Sequence, residues 1–182
     1  CGSIMGKRSN FERVERDFYP TPYKAVEPLI QHLPKKQFAF AEPCAGDGAL
    51  VDHIETMTNG WCSWASDLEP QKDGILTRHF REINMSDLYE ADYIITNPPW
   101  NRELLHPMID YFTAYRPTWL LFDADWPHTK QSIPYMRMLK NIVSIGRVKW
   151  IEDSKSVGKD NCCWYLFDRV SSNNTKFYGR MK

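Results

Sequence analysis

Residues 37–48 read Gln37-Phe38-Ala39-Phe40-Ala41-Glu42-Pro43-Cys44-Ala45-Gly46-Asp47-Gly48, and this stretch decides the fold class. Its first six residues are a short apolar run that predicts a buried strand, and Pro43 ends that strand. Gly46 and Gly48 favour a turn in which the backbone can approach a ligand closely. A helix is predicted to follow, from Ala49 to about Met57. A strand, a glycine turn and a helix in this order are typical of α/β proteins.

Strands and helices alternate on both sides of this unit. Further strands are predicted at 61–67, near 78–83, and at 91–96, 118–123, 144–151 and 162–170. Helices are predicted from the Thr21-Pro22 N-cap pair to Leu33, shortened or kinked by Pro28, and at 102–115 and 134–141. The pattern predicts one α/β domain with a mostly parallel, seven-stranded sheet and an antiparallel pair of strands at one edge. Ligands of such sheets bind beyond the carboxyl ends of the strands, which draws attention to Glu42, Asp67, Asn97 and Asp123.

Length and composition narrow the possible classes. The chain has 182 residues, enough for one domain, and no apolar run long enough to span a membrane. Its five cysteines form no Cys-x-x-Cys pair, so no zinc site, other metal site or disulfide framework is expected. Without a secretory signal, a cytoplasmic protein is expected. We divide the chain into a cloning remnant and charged arm (1–16), a catalytic domain (17–170) and a basic tail (171–182).

Charge is distributed unevenly along the chain although the net charge is zero. Residues 41–100 carry a net charge of −8, whereas residues 1–40 carry +3 and residues 101–182 carry +5. Ordinary surface variation is one interpretation. The other is that the middle binds a cationic ligand and the flanks bind an anionic one.

The glycine turn suggests a particular kind of ligand. It lacks the third glycine of the dinucleotide-binding pattern, and its carboxylates would repel a pyrophosphate. Asp67 follows Gly46 by 21 residues and ends the next strand, where an acidic residue can accept hydrogen bonds from both ribose hydroxyls. A cationic nucleoside without phosphate, such as S-adenosylmethionine, would suit this acidic pocket. A plain turn, with Asp67 as a cap, is the alternative.

Asn97-Pro98-Pro99-Trp100 is the most informative tetrapeptide. The two prolines end the strand and hold the residue before each of them extended. The Asn97 side chain and the Pro98 carbonyl then become two adjacent acceptors, which could take both hydrogens of an exocyclic amino group and localise the nitrogen lone pair. Trp100 offers a ring on which a base could stack. The alternative is a turn beside a core tryptophan.

These motifs resemble those of S-adenosylmethionine-dependent amino-group methyltransferases. Their order is similar to that in the gamma class of small bacterial and phage DNA adenine-N6 methyltransferases, in which a segment like 18–22 precedes the glycine loop and an Asn-Pro-Pro-aromatic tetrapeptide follows it. The resemblance covers about residues 17–125. It implies a Rossmann-like class I methyltransferase fold, S-adenosylmethionine as the cofactor, and methyl transfer to adenine N6, with Asn97, Pro98, Pro99 and Trp100 as catalytic residues.

The resemblance also implies a set of cofactor-binding residues. Residues expected to contact the cofactor are Tyr19, Thr21, Glu42, Pro43, Ala45, Gly46, Asp47, Gly48, Asp67 and Leu68, with Asn84 or Asp87 near the adenine. Two further groups are expected at the substrate: the basic residues Arg102, Lys149, Lys155, Lys159 and Arg180 as contacts to nucleic-acid phosphates, and Asp123 and Trp126 lining the mouth of the site.

Only about 80 residues follow Trp100, which leaves little room for a target-recognition region. A protein partner or a second copy of the chain would then supply target recognition. Three alternatives to DNA adenine remain: an RNA base, a protein glutamine, or a catalytically silent cofactor-binding module of a larger complex.

Overall fold

The computed structural model describes residues 19–151, 155, 157–170 and 174–182. The charged arm predicted at 1–16 and Phe18 lie outside the described residues. Eight strands form one sheet. They are β1 (Phe38–Glu42), β2 (Gly60–Asp67), β3 (Leu76–Thr77), β4 (Tyr93–Thr96), β5 (Thr118–Asp123), β6 (Leu139–Arg147), β7 (Asn161–Phe167) and β8 (Lys176–Tyr178).

The strand order is β3-β2-β1-β4-β5-β7-β6-β8. Strands β1 to β5 pair in parallel, and β7 runs antiparallel to its neighbours β5 and β6. β8 pairs in parallel with β6. The predicted α/β fold and the antiparallel pair are therefore confirmed. The sheet has eight strands rather than seven, however, and β8 lies outside the antiparallel pair.

Helices cover both faces of this sheet because its strands are apolar on both sides. Helices α1 (Tyr23–Ile30) and α2 (Ala49–Met57) pack on one face, where Val26, Ile54 and Trp164 share a core. Helix α3 (Arg102–Thr113) packs on the other face.

Between β5 and β6 the chain forms 3-10 segments, Trp126–His128 and Lys130–Met138, in place of the helix predicted at 134–141. Pro134 lies inside the second segment, and a proline interrupts regular helical hydrogen bonding. β6 consequently begins at Leu139, five residues earlier than predicted.

Three other local predictions were wrong. The strand predicted near 78–83 is the two-residue β3 at Leu76–Thr77, and residues Phe80–Glu82 form a 3-10 turn. α1 begins at Tyr23 with Pro22 at the N-cap position, so the Thr21 side chain does not cap it. Residues 176–178, assigned to a basic tail, form β8.

Candidate functional site

The loop after β1 is built around the carboxylate of Asp67. Asp67 is buried at the end of β2, and one of its oxygens accepts a hydrogen bond from the backbone N–H of Gly46 at 2.9 Å. The other oxygen accepts from the N–H of Glu69 at 2.8 Å. A carboxylate has about four acceptor positions, so two remain for a ligand. The sequence predicted that Asp67 lies at this loop. It did not predict that the Asp67 carboxylate also fixes the backbone of Gly46.

Gly46 leaves open space above the loop. Its φ is +56°, a conformation that favours glycine, and a Cβ added there would meet no atom within 4 Å. The loop then enters α2, where Asp47 accepts a hydrogen bond from the N–H of Ala49 at 3.0 Å. A ligand could therefore lie against this backbone without displacing a side chain.

Glu42, at the end of β1, is a carboxyl group in a water-excluded position. It is only 1% exposed, and one oxygen accepts a hydrogen bond from the N–H of Cys44 at 3.0 Å. Burial raises the pKa of Glu42 to about 8, and the nearby negative charge of Asp67 adds to this rise. Glu42 therefore holds its proton at neutral pH, which removes one negative charge from the residues around the glycine loop.

Asn97 lies just beyond β4, beside β1 in the sheet. Its amide nitrogen donates a hydrogen bond to the hydroxyl of Thr21 at 3.2 Å. The backbone carbonyl of Thr21 is itself 3.1 Å from the imidazole of His53 on α2. This arrangement orients the amide so that its oxygen remains as an acceptor, with no hydrogen bond to another described residue.

The tetrapeptide is fixed on its far side by Trp100. The indole N–H of Trp100 donates to the carbonyl of Leu121 in β5 at 3.1 Å, and its ring meets Trp150 edge to face at 5.7 Å. Pro98 is buried, whereas Asn97, Pro99 and Trp100 are half-buried. The turn is thus held rigidly while three of its four residues still reach the surface.

Arg102 and Asp123 form an ion pair next to this turn. Their nearest atoms are 2.7 Å apart, and the guanidinium also donates to the carbonyl of Trp100 at 3.3 Å. The Asp123 carbonyl accepts from the hydroxyl of Tyr165. Arg102 was predicted to contact nucleic acid. In the structure its guanidinium is paired with Asp123 and also contacts the carbonyl of Trp100, so the nucleic-acid contact stays a prediction.

Trp126 was predicted to line the mouth of the site, and this was wrong. Its side chain is fully buried, and its indole N–H donates to His106 at 3.0 Å. The sequence around Trp126, just after β5, contains no local signal that this side chain packs beneath α3.

The remaining predicted residues fall into two groups. The buried or half-buried Pro43, Ala45, Asp47 and Gly48 belong to the glycine loop, the half-exposed Leu68 follows Asp67, and Tyr19, before α1, is half-buried. Asn84 and Asp87 form a turn of their own after β3, in which the N–H of each is bonded to the other's side chain, and Asn84 is exposed. Four predicted nucleic-acid contacts are exposed: Lys149, Lys155, Lys159 and Arg180.

No group of three or more His, Cys, Asp or Glu side chains among the described residues could hold a metal ion. Within those same ranges, no helix has the length and apolar character needed to cross a membrane.

Solved structures of methyltransferases resemble this fold. A Pyrococcus horikoshii protein provisionally described as an RNA methyltransferase superposes with a TM-score of 0.65 at 15% identity, over 90% of this chain and 94% of its own. A precorrin-6y C5,15-methyltransferase from Geobacter metallireducens gives 0.52 at 12% identity, over 89% and 92%. The modification subunit of a type I restriction enzyme from Vibrio vulnificus gives 0.56 at 12%, over 88% of this chain.

This chain spans 46% of that modification subunit, about half its length. No protein-family model and no curated protein sequence matches the chain. The described residues therefore define a Rossmann-like class I methyltransferase fold, as the motifs had predicted. At these identities the likeness establishes the fold alone.

Proposed function

We propose that this protein is an S-adenosylmethionine-dependent methyltransferase that methylates an exocyclic amino group, adenine N6 in DNA. One observation carries the proposal. The side-chain amide of Asn97 stands at the end of β4, beside the strand β1 that carries the glycine loop, and donates its N–H to Thr21 while its oxygen forms no hydrogen bond with the residues that the structure describes.

The residues at the loop fit the proposed cofactor. The space beside Gly46 would admit a ligand, and the carboxylate of Asp67 retains acceptor capacity for ribose hydroxyls. Tyr19, Thr21 and Asp47 would hold the methionyl end. S-adenosylmethionine supplies a methyl group activated by a sulfonium centre. Even with Glu42 protonated, the acidic segment 41–100 suits the positive charges of this cofactor better than it would suit a phosphate.

The tetrapeptide would prepare the acceptor nitrogen. The Asn97 oxygen and the Pro98 carbonyl would accept the two hydrogens of the amine, which favours a tetrahedral nitrogen and localises its lone pair. Because the amine becomes acidic only after methylation, no strong general base is required. Catalysis would consist mainly of positioning and of these two preorganised acceptors.

The target base would have to leave its stack. An amino group inside a base-paired duplex cannot reach the tetrapeptide at the end of β4. The base would therefore be flipped out of the duplex or come from single-stranded nucleic acid. Trp100, half-buried and anchored through Leu121, would be the ring against which the base packs.

An RNA base is the second candidate acceptor. The Pyrococcus protein, which this chain matches over nearly the whole length of both, is provisionally described as an RNA methyltransferase. The modification subunits belong to type I restriction enzymes, and they are about twice as long as this chain. If this chain methylates DNA, a partner or a second copy would supply target recognition.

Labelled S-adenosylmethionine offered with unmethylated duplex DNA, single-stranded DNA, RNA and a glutamine peptide tests the proposal, with nucleoside analysis of the products. N6-methyladenine in DNA is expected with the wild type and absent with Asn97→Ala, which should still bind cofactor. Asn101→Ser is the matched control, because it lies in the same loop and keeps an oxygen to cap α3.

Two results would overturn the proposal. Turnover retained by Asn97→Ala would show that the amide does not carry the chemistry. Cofactor binding without transfer to any polymer would favour the silent module.

A further inference from the structure

A cleft of about 460 Å³ lies beside β6, β7 and β8, several strands away from the glycine loop after β1. It is lined on one side by the first 3-10 segment and on the other by these three strands. Its lining residues include Phe177, Arg180, His128 and Asn161, all of which are exposed, and the half-buried Ser144. None of its lining residues is acidic.

The cleft opens at the same edge of the sheet as Asn97. β6 and β8 run parallel to β5, so Gly146 near the end of β6 and Arg180 after β8 lie at the carboxyl edge. Asn161 begins the antiparallel β7 and lies at this edge too. Neighbouring strands are about 4.8 Å apart, so β6 and β8 lie roughly 14 to 19 Å from β4. That span equals about four to six stacked nucleotides at 3.4 Å each.

The end of β6 is shaped to hold Arg180. Gly146 has φ +74° at an irregularity in the β6–β7 pairing, and a Cβ there would lie 2.6 Å from the Arg180 guanidinium. The missing side chain lets the guanidinium lie on the backbone of β6. It forms no ion pair with a described residue, so its charge is available to an anion.

Phe177 gives the cleft an aromatic ring in water. It is 66% exposed, although it lies on a strand. An exposed ring beside an available guanidinium and a side-chain amide is the combination that binds a nucleotide: the ring stacks on the base, the guanidinium binds phosphate and the amide contacts the base edge. Arg147, Lys149 and Lys182 are also exposed near this edge. The nearby Asp125 and Asp160 are exposed but do not line the cleft.

We infer that this cleft, hereafter the flanking-nucleotide cleft, binds a nucleotide a few positions from the target base on the same single strand. Phe177 stacks on the base, and Arg180 binds the phosphate. The inference rests on the proposed function for the position of the target base. The cleft would add affinity along the strand, while target recognition is left to a partner or a second copy.

Fluorescence anisotropy with labelled single-stranded DNA and RNA of one sequence, about 12 nucleotides long, tests this in the full chain without cofactor. Phe177→Ala should weaken binding by about 5- to 100-fold. Arg180→Gln should weaken it and reduce the slope of log K against log salt by about one. The strand type bound more tightly identifies the natural source of the nucleotide.

Matched controls lie at the opposite, amino edge of the sheet. Lys36→Gln removes one exposed positive charge before β1, and Tyr89→Ala removes a 77% exposed ring before β4. Both should bind like the wild type. Thermal unfolding of each variant separates lost binding from lost folding.

The inference is overturned if the wild type binds neither strand, if both cleft variants bind like the wild type, or if the controls lose as much affinity. Failure of the proposed function gives a different result. Methyl transfer would then be absent or insensitive to Asn97→Ala, while the cleft variants would still lose affinity for the strand.

Discussion

The amide nitrogen of Asn97 lies 3.2 Å from the hydroxyl oxygen of Thr21, although 76 positions separate the two residues. The segment before α1 therefore contacts the tetrapeptide after β4 as well as His53 on α2. Thr21 is buried, so this hydrogen bond is shielded from competing water. It links the expected cofactor residues to the expected catalytic ones through a single contact.

Thr21→Val should lower the rate of methyl transfer by about 2- to 10-fold, because a buried hydrogen bond contributes about 0.5–1.5 kcal/mol and the valine leaves the amide free to rotate. Steady-state kinetics with saturating cofactor measure this effect. Thr21→Ser keeps the hydroxyl and should restore the rate. A rate loss that appears only in the KM for cofactor would contradict the orienting role.

Glu42→Gln should remove a pH dependence of stability. The pKa of Glu42 rises from 4.5 to about 8 on folding, so between these values the folded chain holds a proton that the unfolded chain releases. Its contribution is fully present below pH 4.5, and the free energy of unfolding falls as pH rises towards 8. Urea unfolding across this range should show a shallower fall for Glu42→Gln. The exposed Glu90→Gln should follow the wild type, and parallel curves for all three would refute the buried-proton account.

Asp67→Asn should lower both stability and cofactor affinity. An amide at this position can accept only through its oxygen, so one of the two N–H groups, of Gly46 or of Glu69, loses its partner at a cost of about 1–3 kcal/mol. Chemical denaturation and equilibrium cofactor binding check the two effects. The exposed Asp73→Asn is the control, and an unchanged Asp67→Asn in both assays would contradict the geometry.

Arg102 and Asp123 should show energetic coupling. Their side chains are partly shielded, with exposures of 27% and 17%, so we expect a coupling energy of about 1 kcal/mol in a double-mutant cycle of alanine variants. Either single variant should also reduce methyl transfer, because the Arg102 guanidinium holds the carbonyl of Trp100. Additive single effects would mean that the pair does not act as a unit.

Gly146→Ala should destabilise the fold by about 1–2 kcal/mol, because its φ is +74° and the new Cβ would collide with Arg180. Part of this cost should disappear when Arg180→Gln is combined with it. Gly179→Ala is the control, since a Cβ there meets nothing within 4 Å. Thermal unfolding of the wild type, the two single glycine variants and the double variant measures these effects. Equal losses of stability in Gly146→Ala and Gly179→Ala would rule out a specific role for Gly146.

The sequence predicted the parts of the fold that local chemistry specifies. The apolar run before Asn97, the two prolines after it, and the glycines after Glu42 each restrict the backbone by themselves, and the structure places them as expected. The position of Asp67 followed from the same logic, because an acidic residue ended a recognisable strand.

What the sequence did not predict depends on distant partners. β3 has only two residues and β8 only three, too few for a periodic pattern, and each pairs with a longer strand beside it. Trp126 looked like a surface residue because most of the side chains around it are distant in sequence: His106 is 20 positions earlier and Tyr165 is in β7. The neutralised charge of Arg102 likewise depends on Asp123 in another strand. No local signal in the sequence marks such pairs.

The short strand β8 also has a consequence for solubility. It occupies the outer side of β6 by pairing with Asn141, Ile142 and Val143. The edge strand on this side of the sheet is therefore the three-residue β8 instead of the nine-residue β6. A long apolar strand with unpaired N–H and C=O groups is a template for aggregation, whereas a strand of three residues that begins with Lys176 and is followed by Arg180 is a poor template. The residues that place an arginine at the cleft thereby also protect the sheet from self-association.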